Sequence, residues 1–523
     1  MHIYWCAINT KLRGREKGSS EPMMKLEQAR IDFAELQKRI CAFNHANAIL
    51  HWDGETVAPP DTAQNRAQAT EIINQELFLL KSGEETVELL NYLNEERDML
   101  SVRERRALDY MLRDVTRKSQ IPTDEYARHE KLLVEAQYAW HTAVEENNFD
   151  LLKDKLGEVF QSLKRFAKYC SPDQDPYEYC MDDHEEGLTI ATCDNMFGAV
   201  KSNIVPLLHK IKEKPQLDDS PVKGDFSKES QESLAYYIME LLGLNMNKVS
   251  LATSEHPFTT FLGSHFDERI ATRYSRQDYA FSLYTIINQV GHVLYDMGQD
   301  DNLAYTILDG VTCKSLQEAQ GRFYENVIGR SRPFIELIYP DLRDIFPNPV
   351  EKYTPEDIYR AVNRVEPGFI RMDADELTFN LHVLVRYELE KAIMHDEITV
   401  NDLRDAWREK YKEYLDIDVK DDVNGILQDI HWSFGAVGYF PAYVLGNFYS
   451  AQLADKMSEA IDIGECISEG DFAIINMWNK LHVWKHGGLY NSNYIMEKHV
   501  GVAFDSQTYI KYLTDKYTEL YNL

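Results

Sequence analysis

Hydrophobic positions recur at three- and four-residue steps along most of the chain, which is the period of amphipathic helices. Leu26, Phe33 and Ile40 give a clear example in residues 25 to 43. Similar patterns cover residues 76 to 118, 123 to 147, 148 to 170, 191 to 213 and 231 to 242, and they resume near Tyr279 and continue to the end. The pattern predicts a mainly α protein.

Three stretches depart from this period. Residues 171 to 188 are predicted to be rich in loops, and residues 214 to 230, with two prolines and a glycine, are predicted to form a surface loop. Residues 256 to 277 are rich in Thr, Phe and Ile and are bounded by Gly and Pro. They predict two or three short β-segments, which would form one small sheet in the helical protein.

The domain organisation follows from composition. Residues 1 to 23 include a polar, Gly- and Ser-rich run and are predicted to be a disordered extension. Residues 24 to 523 contain no internal repeat and no low-complexity tract, so they are predicted to form a single domain.

The formal charge of −30 excludes some partners. Phosphate backbones are bound through Lys and Arg, so neither nucleic acid nor an anionic membrane surface is an expected partner. No segment approaches the roughly 18 to 20 uninterrupted apolar residues that span a bilayer. The seven cysteines are scattered and form no C-x-x-C pair, which favours a reducing compartment, and we expect a cytoplasmic protein.

Candidate chemistry lies in the helical pattern after Tyr279. In a His-Glu-x-x-His helix, two imidazoles one turn apart bind zinc, and the glutamate deprotonates a zinc-bound water. The corresponding residues here are Asn288, Gln289 and His292, so one imidazole and the carboxylate are both replaced by amides. A single histidine on an apolar helix is also typical of a hydrogen-bonded core residue.

Two acids near His292 could take part in such a site. Glu318 lies 26 residues farther on, in a second helical segment, where a zinc site could obtain a carboxylate ligand. Asp296, one turn after His292, could accept a hydrogen bond from the other ring nitrogen of that histidine, or could simply be a solvated acid.

Six motifs, in order, make the chain recognisable. They are His-Pro-Phe at 256 to 258, DERIA at 267 to 271, NQVGH at 288 to 292, QEAQ at 317 to 320, IRMDAD at 370 to 375 and GILQDIHW at 425 to 432. In this order the chain resembles the carboxypeptidase Taq family, helical metal-dependent enzymes that remove C-terminal residues from peptides. The resemblance extends from residue 49 to about residue 495. It implies a large, elongated helical metallopeptidase fold with a deep groove and the small β-sheet near the site.

The resemblance implies a zinc ion, or another divalent metal, held by positions 288, 292 and 318. Asn288 is a weak replacement for imidazole, and Gln289 replaces the general base, so we expect metal binding to be weak or absent. Three milder departures are Ala271 in the second motif and Gln317 and Ala319 in the fourth, which in the family orient the ligands.

The residues expected to contact substrate are better preserved. By resemblance, Arg269, Arg371 and His256 would bind the substrate, with an arginine holding its free C-terminal carboxylate. His431 and either Tyr439 or Tyr443 would donate hydrogen bonds to the developing oxyanion. Two alternatives stay open: the arginines could form structural ion pairs with nearby aspartates, and the aromatic residues could belong to the core.

The sequence therefore leaves three alternative functions open. The first is a peptide-binding member of the family whose hydrolytic site is lost or strongly weakened. The second is an active carboxypeptidase with an atypical metal site. The third is a structural or regulatory subunit, since members of the family are typically homodimers.

Overall fold

A computed structural model describes residues 22 to 310 and 314 to 523. The predicted extension of residues 1 to 23 lies outside these ranges, except that residues 22 and 23 begin the first helix. Within the described ranges, no helix combines the length and apolar character needed to cross a bilayer.

Within the described residues, nine α-helices precede the sheet. They are α1 (Pro22–Thr56), α2 (Ala63–Ser82), α3 (Glu84–Glu95), α4 (Val102–Gln120), α5 (Thr123–Glu145), α6 (Asp150–Cys170), α7 (Pro176–His184), α8 (Ile190–Lys212) and α9 (Lys228–Leu241).

The sheet has three strands, β1 (Val249–Thr253), β2 (Phe258–Phe261) and β3 (Glu268–Thr272). The central strand β3 pairs with β1 in parallel and with β2 antiparallel. Two of these strands fall inside the predicted β region, whereas β1 precedes it.

Helices again dominate after the sheet. They are α10 (Tyr279–Met297), α11 (Lys314–Arg322), α12 (Arg332–Ile345), α13 (Pro347–Val350), α14 (Pro355–Val362), α15 (Phe379–Met394), α16 (Leu403–Leu415), α17 (Pro441–Ser458), α18 (Ile463–Glu469), α19 (Phe472–His482), α20 (Ser492–Tyr494) and α21 (Ser506–Tyr521). Two π-helical segments, Phe323–Gly329 and Ile495–Val500, directly follow α11 and α20. The prediction of a mainly α fold with one small sheet is confirmed.

Buried apolar side chains form two clusters. The larger one extends through helices α5 to α21 and includes both the sheet and the site helices α10 and α11. The smaller one joins α1, α3 and α4 to Leu303 and Leu308. The long first helix therefore packs mainly in its own small core, and it contacts the sheet where Trp52 meets the ring of Phe258 at 5.7 Å.

The prediction for residues 171 to 188 was wrong in part, because α7 lies inside this stretch. Asp175 caps the helix by accepting hydrogen bonds from the backbone N–H groups of Tyr177 and Glu178, and Pro176 occupies the first helical position. The buried face of α7 is built from aromatic and sulfur-containing side chains between many acids, which hid its period.

The predicted loop at 214 to 230 ends earlier, because Ser227 caps α9 and the helix starts at Lys228. The segment is also less exposed than expected. Val222 and Phe226 are buried, and the Phe226 ring packs edge-on against Tyr279 at 5.0 Å.

Candidate functional site

Helix α10 carries four of the predicted site residues, Asn288, Gln289, His292 and Asp296. Asp278 caps it by accepting hydrogen bonds from the N–H groups of Ala280 and Phe281. Asn288 and His292 then lie one turn apart on the same face, because residues four apart are stacked on a helix.

Helix α11 lies unusually close to α10. A β-carbon at Gly291 would come within 2.5 Å of the carbonyl oxygen of Gln320. A β-carbon at Gly321 would lie 2.7 Å from His292 Nε2 and 2.9 Å from Asn288 Nδ2. Glycine is therefore required where the two helices cross, and this contact carries Glu318 to the same place as His292.

A cavity of about 460 Å³ lies at this crossing. Its wall includes Asn288, Gln289, His292 and Glu318, so the structure brings the four predicted positions together. Strand β2 forms another side of the cavity.

The amide of Asn288 is engaged with the protein. Its Nδ2 donates a hydrogen bond to Glu325 Oε2 at 3.0 Å. The orientation of the side chain is thus set by a carboxylate on the π-helical segment after α11. π-helical turns of this kind are frequent at functional sites.

The side-chain amide of Gln289 also forms a hydrogen bond within the protein. This residue is buried, and its Nε2 donates to the carbonyl oxygen of Ala271 on β3 at 2.8 Å. Its Oε1 is buried without a hydrogen-bond partner in the described structure. Unlike a carboxylate, this amide cannot take a proton from water.

His292 lies half-buried on the cavity wall. Burial lowers the pKa of His292 below its usual value, although the Glu318 carboxylate acts in the opposite direction. Within the described ranges, its Nδ1 has no hydrogen-bond partner. The lowered pKa favours the neutral imidazole, and its buried Nδ1 is left unpaired.

Asp296 does not accept a hydrogen bond from His292, and it is not solvated; both expectations were wrong. Its carboxylate is buried and accepts hydrogen bonds from Gln299 Nε2 at 3.3 Å and from Gln317 Nε2 at 3.4 Å. Burial, with the nearby Asp309 carboxylate, raises the pKa of Asp296 to about 7. The Asp296 carboxylate therefore accepts hydrogen bonds from two glutamine side chains and not from His292, which the spacing predicted as its donor.

The predicted oxyanion donors differ in their access to the cavity. Tyr443 lines it, and its hydroxyl donates to the Tyr439 hydroxyl at 3.2 Å. His431 lies behind them, with its ring 5.4 Å from that of Tyr439. Burial lowers the pKa of His431 to about 4, so its imidazole is neutral at pH 7.

A groove of about 820 Å³ adjoins the cavity and shares Pro257, Thr285 and Asn288 with it. Arg371 lines this groove and is buried. Its Nη2 donates to Asp429 Oδ1 at 2.9 Å, while Arg386 Nε donates to Asp429 Oδ2 at 2.7 Å. The ion pair is therefore with Asp429, not with the aspartates near Arg371 in sequence.

The Glu325 carboxylate, like that of Asp429, is shared by two arginines. It accepts from Arg322 Nη1 at 3.0 Å and from Arg330 Nη2 at 3.1 Å. Although burial acts to raise it, these two guanidinium groups hold the pKa of Glu325 below its usual value. Arg322 and Arg371 also approach the same ring, that of Phe379, at 4.4 and 6.0 Å. Two arginines thus share each of these carboxylates, so Arg322 and Arg371 both present a guanidinium group to the groove beside Phe379.

The remaining predicted substrate residues are less central. Arg269 pairs with Asp267 and donates to the carbonyl oxygen of Glu268 at 3.0 Å, as the structural alternative predicted. It is absent from the walls of the cavity and the groove. His256 is exposed at the edge of the groove.

Sequence reasoning missed Lys314, Arg322 and Glu325. Lys314 lines the cavity, and the other two line the groove. A signal was present, because residues 314, 318, 322 and 325 recur at steps of four and three and so share one helical face.

The donors that remain can be compared with the needs of a metal ion. Residues 22 to 310 and 314 to 523 contain no group of three or more His, Cys, Asp and Glu side chains arranged to hold one. His292 and Glu318 are the two ligand-type side chains on the cavity wall that match the family motif, and Asn288 adds a neutral amide.

Comparisons with known proteins identify the family. The model for "Carboxypeptidase Taq (M32) metallopeptidase" matches residues 32 to 517. Carboxypeptidase 1 of Bacillus subtilis is 34% identical over 506 residues, covering 96% of this chain and 100% of that protein. Thermostable carboxypeptidase 1 of Pyrococcus furiosus is 32% identical, covering 92% and 96% of the two chains.

Solved structures agree with the sequence comparison. An M32 carboxypeptidase from Deinococcus radiodurans has a TM-score of 0.91 at 30% identity and covers 95% of this chain and 100% of its own. The carboxypeptidase of Pyrococcus furiosus has a TM-score of 0.89 at 30% identity, with 96% and 100% covered. This chain therefore belongs to the carboxypeptidase Taq family of metallopeptidases.

Proposed function

We propose that this protein is a peptide-binding member of the family that has lost most or all hydrolytic activity. The proposal is carried by one observation. At the positions of a zinc ligand and the general base stand two amides, Asn288 and Gln289, and each donates a hydrogen bond to a neighbouring protein group. A general base must take a proton from water, and the loss of such a group costs roughly 10²- to 10⁴-fold in rate.

The residues present do not fit a zinc ion. Zinc sites that catalyse hydrolysis use three protein ligands, most often imidazoles and one carboxylate. Here His292 and Glu318 leave Asn288 as the third donor, and its amide is oriented by Glu325. Lys314 adds a positive charge to the same cavity wall. We therefore derive no reaction step through a metal ion.

Retained peptide binding is supported by the groove. Arg322 and Arg371 each share a carboxylate with a second arginine, and both guanidinium groups lie on the groove wall near Phe379, where they could donate to a carboxylate. A peptide C-terminus bound there would extend toward the cavity through the shared residues Thr285 and Asn288. The expected ligand is a short peptide with a free C-terminal carboxylate.

The test combines metal analysis with an activity assay on purified protein. Zinc content is measured by mass spectrometry, and release of C-terminal residues from an unstructured peptide is followed with added zinc, cobalt or manganese. We expect substoichiometric metal and turnover at least about 10²-fold below that of the Bacillus subtilis relative. His292→Ala should change neither result.

The convergence of His292 and Glu318 on one cavity favours a second candidate, an active enzyme with an atypical metal site. Turnover within about tenfold of the relative, abolished by His292→Ala, would establish that candidate and refute ours.

A homodimer and a cytoplasmic location remain predictions from the resemblance and the cysteine pattern. Sedimentation of the full chain measures the first, and fractionation of cells measures the second. A stable dimer that binds no peptide would favour the structural-subunit alternative.

A further inference from the structure

Lys314 is the strongest feature of the cavity that the proposed function leaves unexplained. It begins α11, four residues before Glu318, and both side chains lie on the cavity wall. Side chains one turn apart on a helix have Cβ atoms only about 5–6 Å apart. An ammonium group thus shares the cavity with the carboxylate that should bind a metal.

The surroundings keep this ammonium available. Its Nζ lies 5.4 Å from the centre of the Tyr439 ring, the face of which attracts cations. Among the described residues, no carboxylate approaches it within the 4.0 Å of a salt bridge. The neighbouring imidazole of His184 carries no competing charge at pH 7, because burial lowers the pKa of His184 to about 4.

We infer that Lys314 takes the place of the metal ion as the cation of this cavity. The inference rests on the proposed function and adds two statements to it. First, the ammonium repels a divalent cation that would bind at Glu318 on the same cavity wall. Second, it offers N–H donors to a peptide oxygen in the absence of any metal.

Charge repulsion sets the direction of the effect on metal binding. A dication and an ammonium a few ångströms apart repel twice as strongly as two single charges at that distance. The repulsion persists after the missing ligand is restored, because Lys314 lies on a different helix from Asn288. Restoring the family motif alone should therefore leave zinc binding weak.

The first test measures zinc affinity by competition with a chromophoric chelator. It compares the double variant Asn288→His/Gln289→Glu with the triple variant that also carries Lys314→Met. We expect the triple variant to bind zinc at least about tenfold more tightly than the double variant. Lys314→Arg in the same background, which keeps the charge, should bind no more tightly than the double variant.

Lys248→Met is the matched control for charge. Lys248 also lies over an aromatic ring, that of Phe266 at 4.8 Å, but it does not line the cavity. Its removal should leave zinc affinity unchanged. Equal affinity of the double and triple variants, or an equal gain from Lys248→Met, would overturn the inference.

The second test needs no restored motif and so remains decisive if the double variant does not fold. Binding of a fluorescent peptide with a free C-terminus is measured in the presence of EDTA for the unaltered protein, Lys314→Met and Lys314→Arg. We expect a loss of about tenfold for methionine and retention for arginine. Unchanged affinity of Lys314→Met would overturn the second statement.

The two tests also separate this inference from the proposed function. Stoichiometric zinc and rapid hydrolysis by the unaltered protein would refute the proposed function. If the protein is inactive but substitution of Lys314 changes neither zinc affinity nor peptide affinity, only the role of this lysine is refuted.

Discussion

The cavity around His292 and the groove around Arg371 are neighbours with opposite electrostatic organisation. At the groove, the Asp429 and Glu325 carboxylates are each shared by two guanidinium groups. In the cavity, His292 Nδ1 and Gln289 Oε1 have no hydrogen-bond partner within the described chain. The groove is thus held by paired charges, although Arg322 Nε has no partner within the described chain, whereas the cavity leaves a histidine and an amide atom unpaired.

This difference indicates how residues of the cavity could change while those of the groove are retained. The groove arginines form ion pairs that stabilise the fold, so their substitution carries a stability cost. The amides at 288 and 289 need only two local hydrogen bonds, which the neighbouring elements supply. In the proposed function, the reaction centre is lost while the adjoining binding surface is kept.

The largest effect should come from breaking the groove's ion-pair network. Asp429→Asn would leave the buried Arg371 and Arg386 without their shared charge, and removing one partner of a buried pair costs about 3–5 kcal/mol. Denaturant unfolding should show a loss of this size, while Asp373→Asn, at an exposed position, should show none. An unchanged free energy of unfolding in Asp429→Asn would mean that these ion pairs do not stabilise the groove.

The contact between α10 and α11 should be the next most sensitive feature. Gly291→Ala would place a β-carbon 2.5 Å from a backbone oxygen, and such overpacking costs about 1–3 kcal/mol. Gly198→Ala is the control, because its β-carbon would meet no atom within 4 Å. Thermal unfolding compares the two, and equal melting temperatures would show that the helices can separate without cost.

Peptide binding should depend on the free carboxylate. Amidating the C-terminus removes charge-assisted hydrogen bonds worth about 1.5–3 kcal/mol, so affinity should fall about 10- to 100-fold. Fluorescence anisotropy with the two peptides measures this difference. Arg371→Met should abolish the discrimination, whereas Arg276→Met, at an exposed arginine outside the groove, should retain it. Indifference of the unaltered protein to amidation would remove the proposed contrast between groove and cavity.

The smallest effect concerns Glu268, which lies fully buried behind the cavity with neither carboxylate oxygen hydrogen-bonded by a described group. Burial, reinforced by the Asp296 and Asp309 carboxylates, raises the pKa of Glu268 well above its usual value. The folded state therefore holds its proton at pH values where the unfolded chain has released it, and stability falls as the pH rises above about 4.3.

Glu268→Gln should be insensitive to this titration. Its stability relative to the unaltered protein should increase from pH 5 to pH 8, as measured by unfolding at both values. Glu255→Gln, at an exposed position, should follow the unaltered protein. A constant difference across this range would show that the Glu268 carboxyl does not titrate as described.

Several features were predictable because they depend on local periodicity. Helix α10 and the placement of Asn288 and His292 on one face follow from the 3.6-residue repeat. Helix α7 was missed, because its period is carried by Tyr177, Cys180 and Met181 between acids. The partner of Asp296 was also missed, since Gln317 approaches it from another helix.

The sequence by itself determined the helical fold, the family and the two amide replacements, since these follow from the periodicity and order of residues along the chain. Only the tertiary structure decided which charged side chains pair and which share one cavity wall. Arg371 pairs with Asp429 across 58 positions, and Lys314 joins Asn288 on one cavity wall. Such pairings depend on how helices cross at Gly291 and Gly321, where contact distance is set by packing and not by sequence separation.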